Sequence, residues 1–345
     1  MIDFRYHLVS LISVFLALAV GIVLGAGPLR DTIGDQLTGQ VEQLREEKES
    51  LRADLERSQA DLVARDAFVT GAAPQLLEDT LPERDVALVL LPGAEADVVE
   101  ALTQNLELAG ASVVGRVEVT TMWSDPSQRA YRSQIAANLS AYLAESPGDD
   151  ATTEQILGEA LGEALTATET DTDEPTANAG ELLALLTAGD DDALVRQVSE
   201  DLAPADATIV VSAPYLPVPD EAPPSDLEDT NAAWVALASA LAQTGEGSIL
   251  AGYATNDGDV VAALRADPAA ATTTSVDGID VAPGLVTAPL ALASAMAGNE
   301  AAQYGSGIGA TEVMPPDAGL EPPVVEPDDG SAEPDGEPGG DGEDA

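Results

Sequence analysis

The sequence predicts a membrane-anchored α/β protein: a single N-terminal transmembrane helix, a coiled-coil stalk, then a three-layer α/β domain with a mostly parallel sheet. Three observations carry that expectation. An uncharged apolar run fills Leu8 to Ala26, a heptad of leucines and valines follows, and short apolar runs then alternate with helical spacing over residues 84–309. Strands buried on both faces read as unbroken apolar runs, and strand–helix alternation builds parallel sheets through crossovers.

The apolar run has close to the ~20 residues that cross a bilayer's hydrocarbon core, longer than a secretory signal's apolar region. Its small residues Gly25, Ala26 and Gly27 lead straight into Pro28, which disfavours cleavage there. The run is therefore expected to stay as an anchor in the lipid bilayer, with residues 1–7 cytoplasmic and the remainder exported. Arg5 supports that orientation, although Asp3 and Arg30 blunt the signal. His7, the only histidine, stands at the mouth of the run and is the one candidate metal ligand. An interfacial polar group is the plainer reading of that residue.

Residues 31–70 follow a coiled-coil pattern. Val41, Lys48, Leu55, Leu62 and Val69 fall at a, and Leu37, Leu44, Leu51, Ser58 and Arg65 at d, with charges filling the other positions. Leucine at d with a mixed a set leans toward a parallel dimer. Every copy entering a membrane in the same direction also requires a parallel arrangement. The expected partner is a second copy of the chain, held through Val41, Leu44, Leu51, Leu55 and Leu62. The helix alone would rise about 50 Å over about 33 residues. A lone amphipathic helix folded back on the domain is the alternative.

In the domain, VALVLLPG (Val86–Gly93) reads as a strand, AEADVVEALTQNLELAG as a helix stopped by Gly110, and ASVVGRVEVT as a second strand. Asp125-Pro126 starts a helix expected to run to about Glu145. Residues 147–179 read as an acidic insert holding a short helix at Ile156–Leu165. Helical segments at Leu182–Leu186 and Leu194–Val198 lead to a third strand, Ala207–Ser212. A helix in TNAAWVALASALAQTGEG, a strand in GSILAGYAT, a helix in GDVVAALRAD, a strand in TTTSVDGID and a closing helix in LVTAPLALASAMAGN complete it. Residues 310–345 are rich in Pro, Gly and acid, lack any basic residue, and are expected to stay disordered.

Composition excludes some functions. With 62 acidic against 13 basic residues, the formal charge is -49, which rules out a phosphate-neutralising face; no nucleic acid is expected as a partner. Without cysteine there is no disulfide and no thiolate metal site. Acid spread over domain and tail matches proteins kept soluble at high salt, or a compositional drift toward alanine and acid. LLPGAEAD carries one glycine of a dinucleotide loop, and Glu95 and Asp97 would repel phosphate. No serine elbow and no domain histidine are present for a hydrolase triad. Met122, Met296 and Met314 are far apart and read as packing or tail residues. No catalytic residue, cofactor site or enzyme activity is expected.

Two segments in order, FRYHLVSLISVFLALAVGIVLGAG and the later TTTSVDGID followed by a helix and AAQYGSG, carry a resemblance. The chain resembles the actinobacterial copper-transporter family of the MctB type from Met1 to about Gly309. The resemblance implies a cell-envelope protein of copper efflux and homeostasis, acting as a channel component, with copper as the transported ion and an outer-membrane placement. The residues themselves add a constraint: one uncharged helix cannot line an aqueous path, so any pore needs an oligomer. The alternative is a non-catalytic envelope scaffold or adaptor that presents the α/β domain on its stalk. An exported α/β enzyme is a third reading, requiring a polar pocket at the strands' carboxyl ends.

Overall fold

The computed structural model describes residues 4–26, 28–148, 151–169, 174–189, 192–199, 201–217 and 224–323. Two compact units divide between Arg65 and Asp66.

The first unit is helical. Helix α1 (Phe4–Ala26) contains a stretch, Phe4–Gly25, long and apolar enough to cross a membrane, and none of it is buried within the chain. That stretch starts four residues ahead of Leu8, so Arg5 and His7 fall in its first turns. Helix α2 (Pro28–Leu77) opens on a proline, a residue well placed at a helix start because its missing amide would have no partner there. Leu37, Val41, Leu44, Leu51, Leu55 and Leu62 are exposed along the first unit.

The second unit begins within α2. Ala73 and Leu77 are buried, and Val69 packs partly against the same core. Val69 thus serves the domain core and does not extend the exposed seam. The elements that follow are β1 (Asp85–Leu90), α3 (Ala96–Leu108), β2 (Ser112–Val119), α4 (Arg129–Leu139), α5 (Thr153–Thr166) and α6 (Ala177–Thr187). Then come β3 (Val195–Gln197), β4 (Ala207–Val211), α7 (Leu227–Leu241), β5 (Gly247–Gly252), α8 (Val260–Ala266), β6 (Thr274–Asp277), α9 (Ala282–Met296) and β7 (Gln303–Tyr304). They form one seven-stranded sheet in the order β3-β2-β1-β4-β5-β6-β7, parallel except where β3 meets β2. Alternate residues of β1 show the layering. Ala87 and Val89 face a core shared with α4 to α8, whereas Val86 and Leu88 face one shared with the end of α2, α3 and α9. The expected three-layer α/β domain is the fold observed.

Several local readings need correction. The residues read as a helix at Leu194–Val198 hold the edge strand β3. Arg196 lies opposite Glu118 of β2, an attractive cross-strand pair, and Thr120 binds the carbonyls of Ala193 and Leu194. The helix expected from Asp125 to Glu145 is a 3-10 turn (Pro126–Gln128) and then α4, which stops at Leu139. Asp125 caps the turn by accepting from the Ser127 amide at 2.8 Å, and its hydrogen bonds from Ser127 hold its carboxyl below the ordinary range. Directly past Leu139 the chain turns, the Tyr142 amide donating to the Leu139 carbonyl, and the Ala144 amide then donates to the Glu163 carboxylate.

Within the span read as an acidic insert, α5 buries Leu157, Ala160, Leu161 and Leu165. Its capping box is complete: Thr152 Oγ1 accepts from the Gln155 amide, and Gln155 Oε1 accepts from the Thr152 amide. Gly158 and Gly162 let α7 approach, since a Cβ on either would strike Ala240 or Thr244. The helix is therefore a core element. The domain also passes its expected end at 309. Thr311 and Glu312 amides donate to Gln303, Ala318 and Leu320 pack on the core, and Arg84 reaches the Glu321 carbonyl. The rest of the acidic tail, from 324, lies outside the described residues.

Candidate functional site

The polar groups that the sequence singles out are mostly engaged within the domain. Gly93, after β1, adopts a φ of +84°, which favours glycine, and a Cβ there would press on Ala213. Next to it, Glu95 precedes α3 without capping it, and its Oε2 accepts from Tyr253 Oη at 2.9 Å. Burial, then the bond to Glu95 and nearby carboxylates, push the Tyr253 hydroxyl pKa up. A carboxylate from the chain itself thus occupies the loop that a nucleotide phosphate would need.

Beyond β5, Asp259 is fully buried at the N-cap position of α8, yet its side chain makes no capping bond. Its carboxylate instead accepts from the amides of Tyr215, Thr255 and Asn256 at 2.7–2.8 Å. It fastens the loop after β4 to the loop after β5 and carries no exposed lone pair for acid–base work.

The two parts of the C-terminal segment behind the resemblance, the Ser-Val-Asp turn and the Gln-Tyr-Gly, meet at one edge of the sheet. Arg265 of α8, 1% exposed in its side chain, donates from Nη1 to Asp277 Oδ2 at 2.7 Å. It also donates to Ser275 Oγ at 2.9 Å, the Ile308 carbonyl at 3.0 Å and the Tyr304 carbonyl at 2.7 Å. Burial pulls the arginine pKa below its ordinary value, while Asp277 opposes the shift. Asp277 in turn accepts from the amides of Ser306 and Gly307, both at 3.1 Å. Ser275 Oγ donates to Gln303 Oε1 at 2.5 Å. The Ser-Val-Asp turn and the Gln-Tyr-Gly segment are thus the two halves of one buried clasp holding β7 to β6. Arg265 is the member that sequence spacing does not reveal; its only signal is a cation at the end of an apolar helix.

No group of three or more His, Asp or Glu side chains able to hold a metal occurs among the described residues. His7 lies exposed on α1 with no such cluster around it. Met122 and Met296 pack against the two cores and Met314 is exposed, so the three do not converge. On the domain, a cleft of about 380 Å³ between α4, α5 and α7 joins Arg129 and Arg132 with Glu154 and Asp229. Its charges are balanced: Arg132 Nη2 lies 3.5 Å from Glu154, and Arg129 lies 3.9 Å from Asp229.

The candidate functional surface is instead the seam on α2. Leu37, Val41, Leu44, Leu51, Leu55 and Leu62 are all exposed, at 44–63% of their full area. Leu44, Glu47, Lys48, Leu51, Arg52 and Leu55 line a hollow of about 570 Å³ on the helix flank. Apolar side chains repeated at three and four residues with a charged border are suited to packing against another helix.

Comparison with known proteins adds the family. Residues 1–315 match the family model described as copper transport outer membrane protein, MctB. A copper transporter MctB of Mycobacterium leprae (strain TN) is 33% identical over 326 residues, covering 92% of this chain and 100% of the relative. The copper transporter MctB of Mycobacterium tuberculosis (strain ATCC 25618 / H37Rv) is 30% identical over 319 residues, 91% of this chain and 99% of the relative. The resemblance seen in the end segments therefore extends through the anchor, α2 and the α/β domain, and the chain belongs to the MctB family of copper transport outer membrane proteins.

Proposed function

We propose that the chain is a membrane-anchored cell-envelope component of copper homeostasis that works as an oligomer, with copper as its cargo. The observation that carries this reading is the family match over residues 1–315, with relatives named copper transporters matched almost end to end. The N-terminus is cytoplasmic and the domain exported, in keeping with Arg5 at the start of α1. We place α1 in the cell membrane, because a long apolar helix partitions into the first bilayer it meets, whereas outer-membrane spans are built from alternating strands. Fractionation tests that placement against the outer-membrane description of the family.

One helix encloses no water, and beyond its first turns α1 offers no charged side chain to a passing ion. A conduit therefore needs more than one copy, and the exposed seam of α2 supplies a surface for joining them. A strain lacking the gene is expected to accumulate copper and to grow poorly at raised copper, with both defects reversed by the intact gene. Normal copper content in that strain would sink the transport reading. A second reading, an adaptor that presents the domain to other envelope proteins, is favoured by the engagement of Glu95, Asp259 and Asp277 in internal bonds. It predicts normal copper and co-purification with envelope-assembly proteins.

A further inference from the structure

We infer that the α2 seam takes a second copy of this chain as a parallel, in-register two-stranded coil, aligned by Glu47, Lys48 and Arg52. The inference rests on the oligomer reading above and gives the expected parallel dimer a register and a charge pairing. The hollow on α2 carries the argument. Its six lining residues are Leu44 and Leu51 at d, Lys48 and Leu55 at a, Glu47 at g and Arg52 at e. In a parallel coil an a side chain enters a hole made by the preceding d and g with the facing a and d; a d side chain enters one made by a, d, e and the next a. Leu44, Glu47, Lys48 and Leu51 make the first hole, and Lys48, Leu51, Arg52 and Leu55 make the second. The six residues thus supply two overlapping holes that Lys48 and Leu51 of the second copy would fill.

Charge fixes the direction. Position e carries Arg45 and Arg52, and position g carries Glu47 and Asp54. A parallel in-register pair sets g of one heptad against e of the next on the other strand, so Glu47 meets Arg52 of the second copy twice per dimer. It also brings Lys48, the only lysine of the chain, to a hole bordered by Glu47. An antiparallel pair sets g against g and e against e, which opposes carboxylate to carboxylate and guanidinium to guanidinium. Leucine at d with a valine at the first a, and a lysine buried at the second, select two strands over three or four. Farther along, Asp61 and Asp66 would face each other, and d holds Ser58 and Arg65. The seam is strongest from Val41 to Leu55.

The chain contains no cysteine, so single cysteines report without interference. Full-length protein in its membrane would carry Leu44→Cys, Leu51→Cys or, on the outer f position, Ala53→Cys, and be oxidised mildly. Disulfide dimers at both Leu44→Cys and Leu51→Cys, and none at Ala53→Cys, are expected. A dimer at only one of the two seam sites contradicts the parallel register. Chemical crosslinking that gives trimers or larger species contradicts the two-stranded coil and leaves the oligomer reading standing; no association at any site removes both. Glu47→Arg or Arg52→Glu alone is expected to weaken association by about tenfold, since each reverses two ion pairs. The double variant, Glu47→Arg with Arg52→Glu, restores it. A double variant as weak as either single one overturns the assigned pairing.

Discussion

Replacing Arg265 by methionine removes the centre of the clasp while keeping much of the side-chain volume. The guanidinium makes four hydrogen bonds and is almost fully buried; its partner Asp277 is 6% exposed. Removing one member of a buried ion pair costs about 3–5 kcal/mol, because the other charge stays behind without its counterion. Here the Ser306 and Gly307 amides still solvate the carboxylate, which puts the expected loss at the lower end, about 3 kcal/mol. For a domain of this size that is roughly 6–12 °C in Tm. Thermal and urea unfolding of the full chain in detergent, followed by circular dichroism, measures it. Asp277→Leu should be comparably damaging, whereas Arg265→Met with Asp277→Leu should cost clearly less than the sum, because no lone charge remains. A single-variant loss under about 1 kcal/mol, or simple additivity, would refute the claim that the pair acts as one unit.

Gly305 holds a φ of +130° with its missing Cβ directed at the Asp277 carboxylate, so Gly305→Ala should lower stability by about 1–3 kcal/mol in the same unfolding assay. Tyr253→Phe deletes the bond to Glu95 and should cost about 1.5–3 kcal/mol at neutral pH, as for hydrogen bonds to charged groups. The folded state holds the Tyr253 proton above the ordinary tyrosine range, so stability should fall as pH rises beyond that range; Tyr253→Phe should flatten the slope. Burial, and then the charge of Glu163, hold the Glu159 carboxyl above its usual value. Its contribution is therefore favourable in acid and lost as pH rises through the raised value, so Glu159→Gln should stabilise the domain at pH 7 and lose that advantage below the ordinary carboxylate range.

Strands β1, β4 and β5 were legible because burial on both faces leaves short runs dominated by Val, Leu, Ile and Ala, and β2 because its valines are interrupted by Arg116 and Glu118 in an alternating, half-buried pattern. Strand β3 was not: three residues carry too little pattern, and its conformation is imposed by Glu118 and Thr120 of the neighbouring segment. Acidic residues between Leu157 and Leu165 drew attention to charge, whereas the buried face of α5 runs through Leu157, Leu161 and Ala164. Past Gly309, proline and glycine prevent regular ladders, yet Ala318 and Leu320 still find the core. The seam on α2 was readable because its partners lie at fixed spacing along one helix. The clasp was hidden because Arg265, Asp277 and Ser306 come from separate elements and only the sheet order brings them together.

The most direct test of the account joins the seam to copper. A strain lacking the gene would receive either the intact chain or the Leu44→Lys, Leu51→Lys variant, at matched amounts in the membrane, and cellular copper would be measured. The account predicts that the intact chain restores normal copper while the variant, unable to associate, leaves copper as high as in the deletion. Normal copper in cells whose protein is wholly monomeric would contradict it.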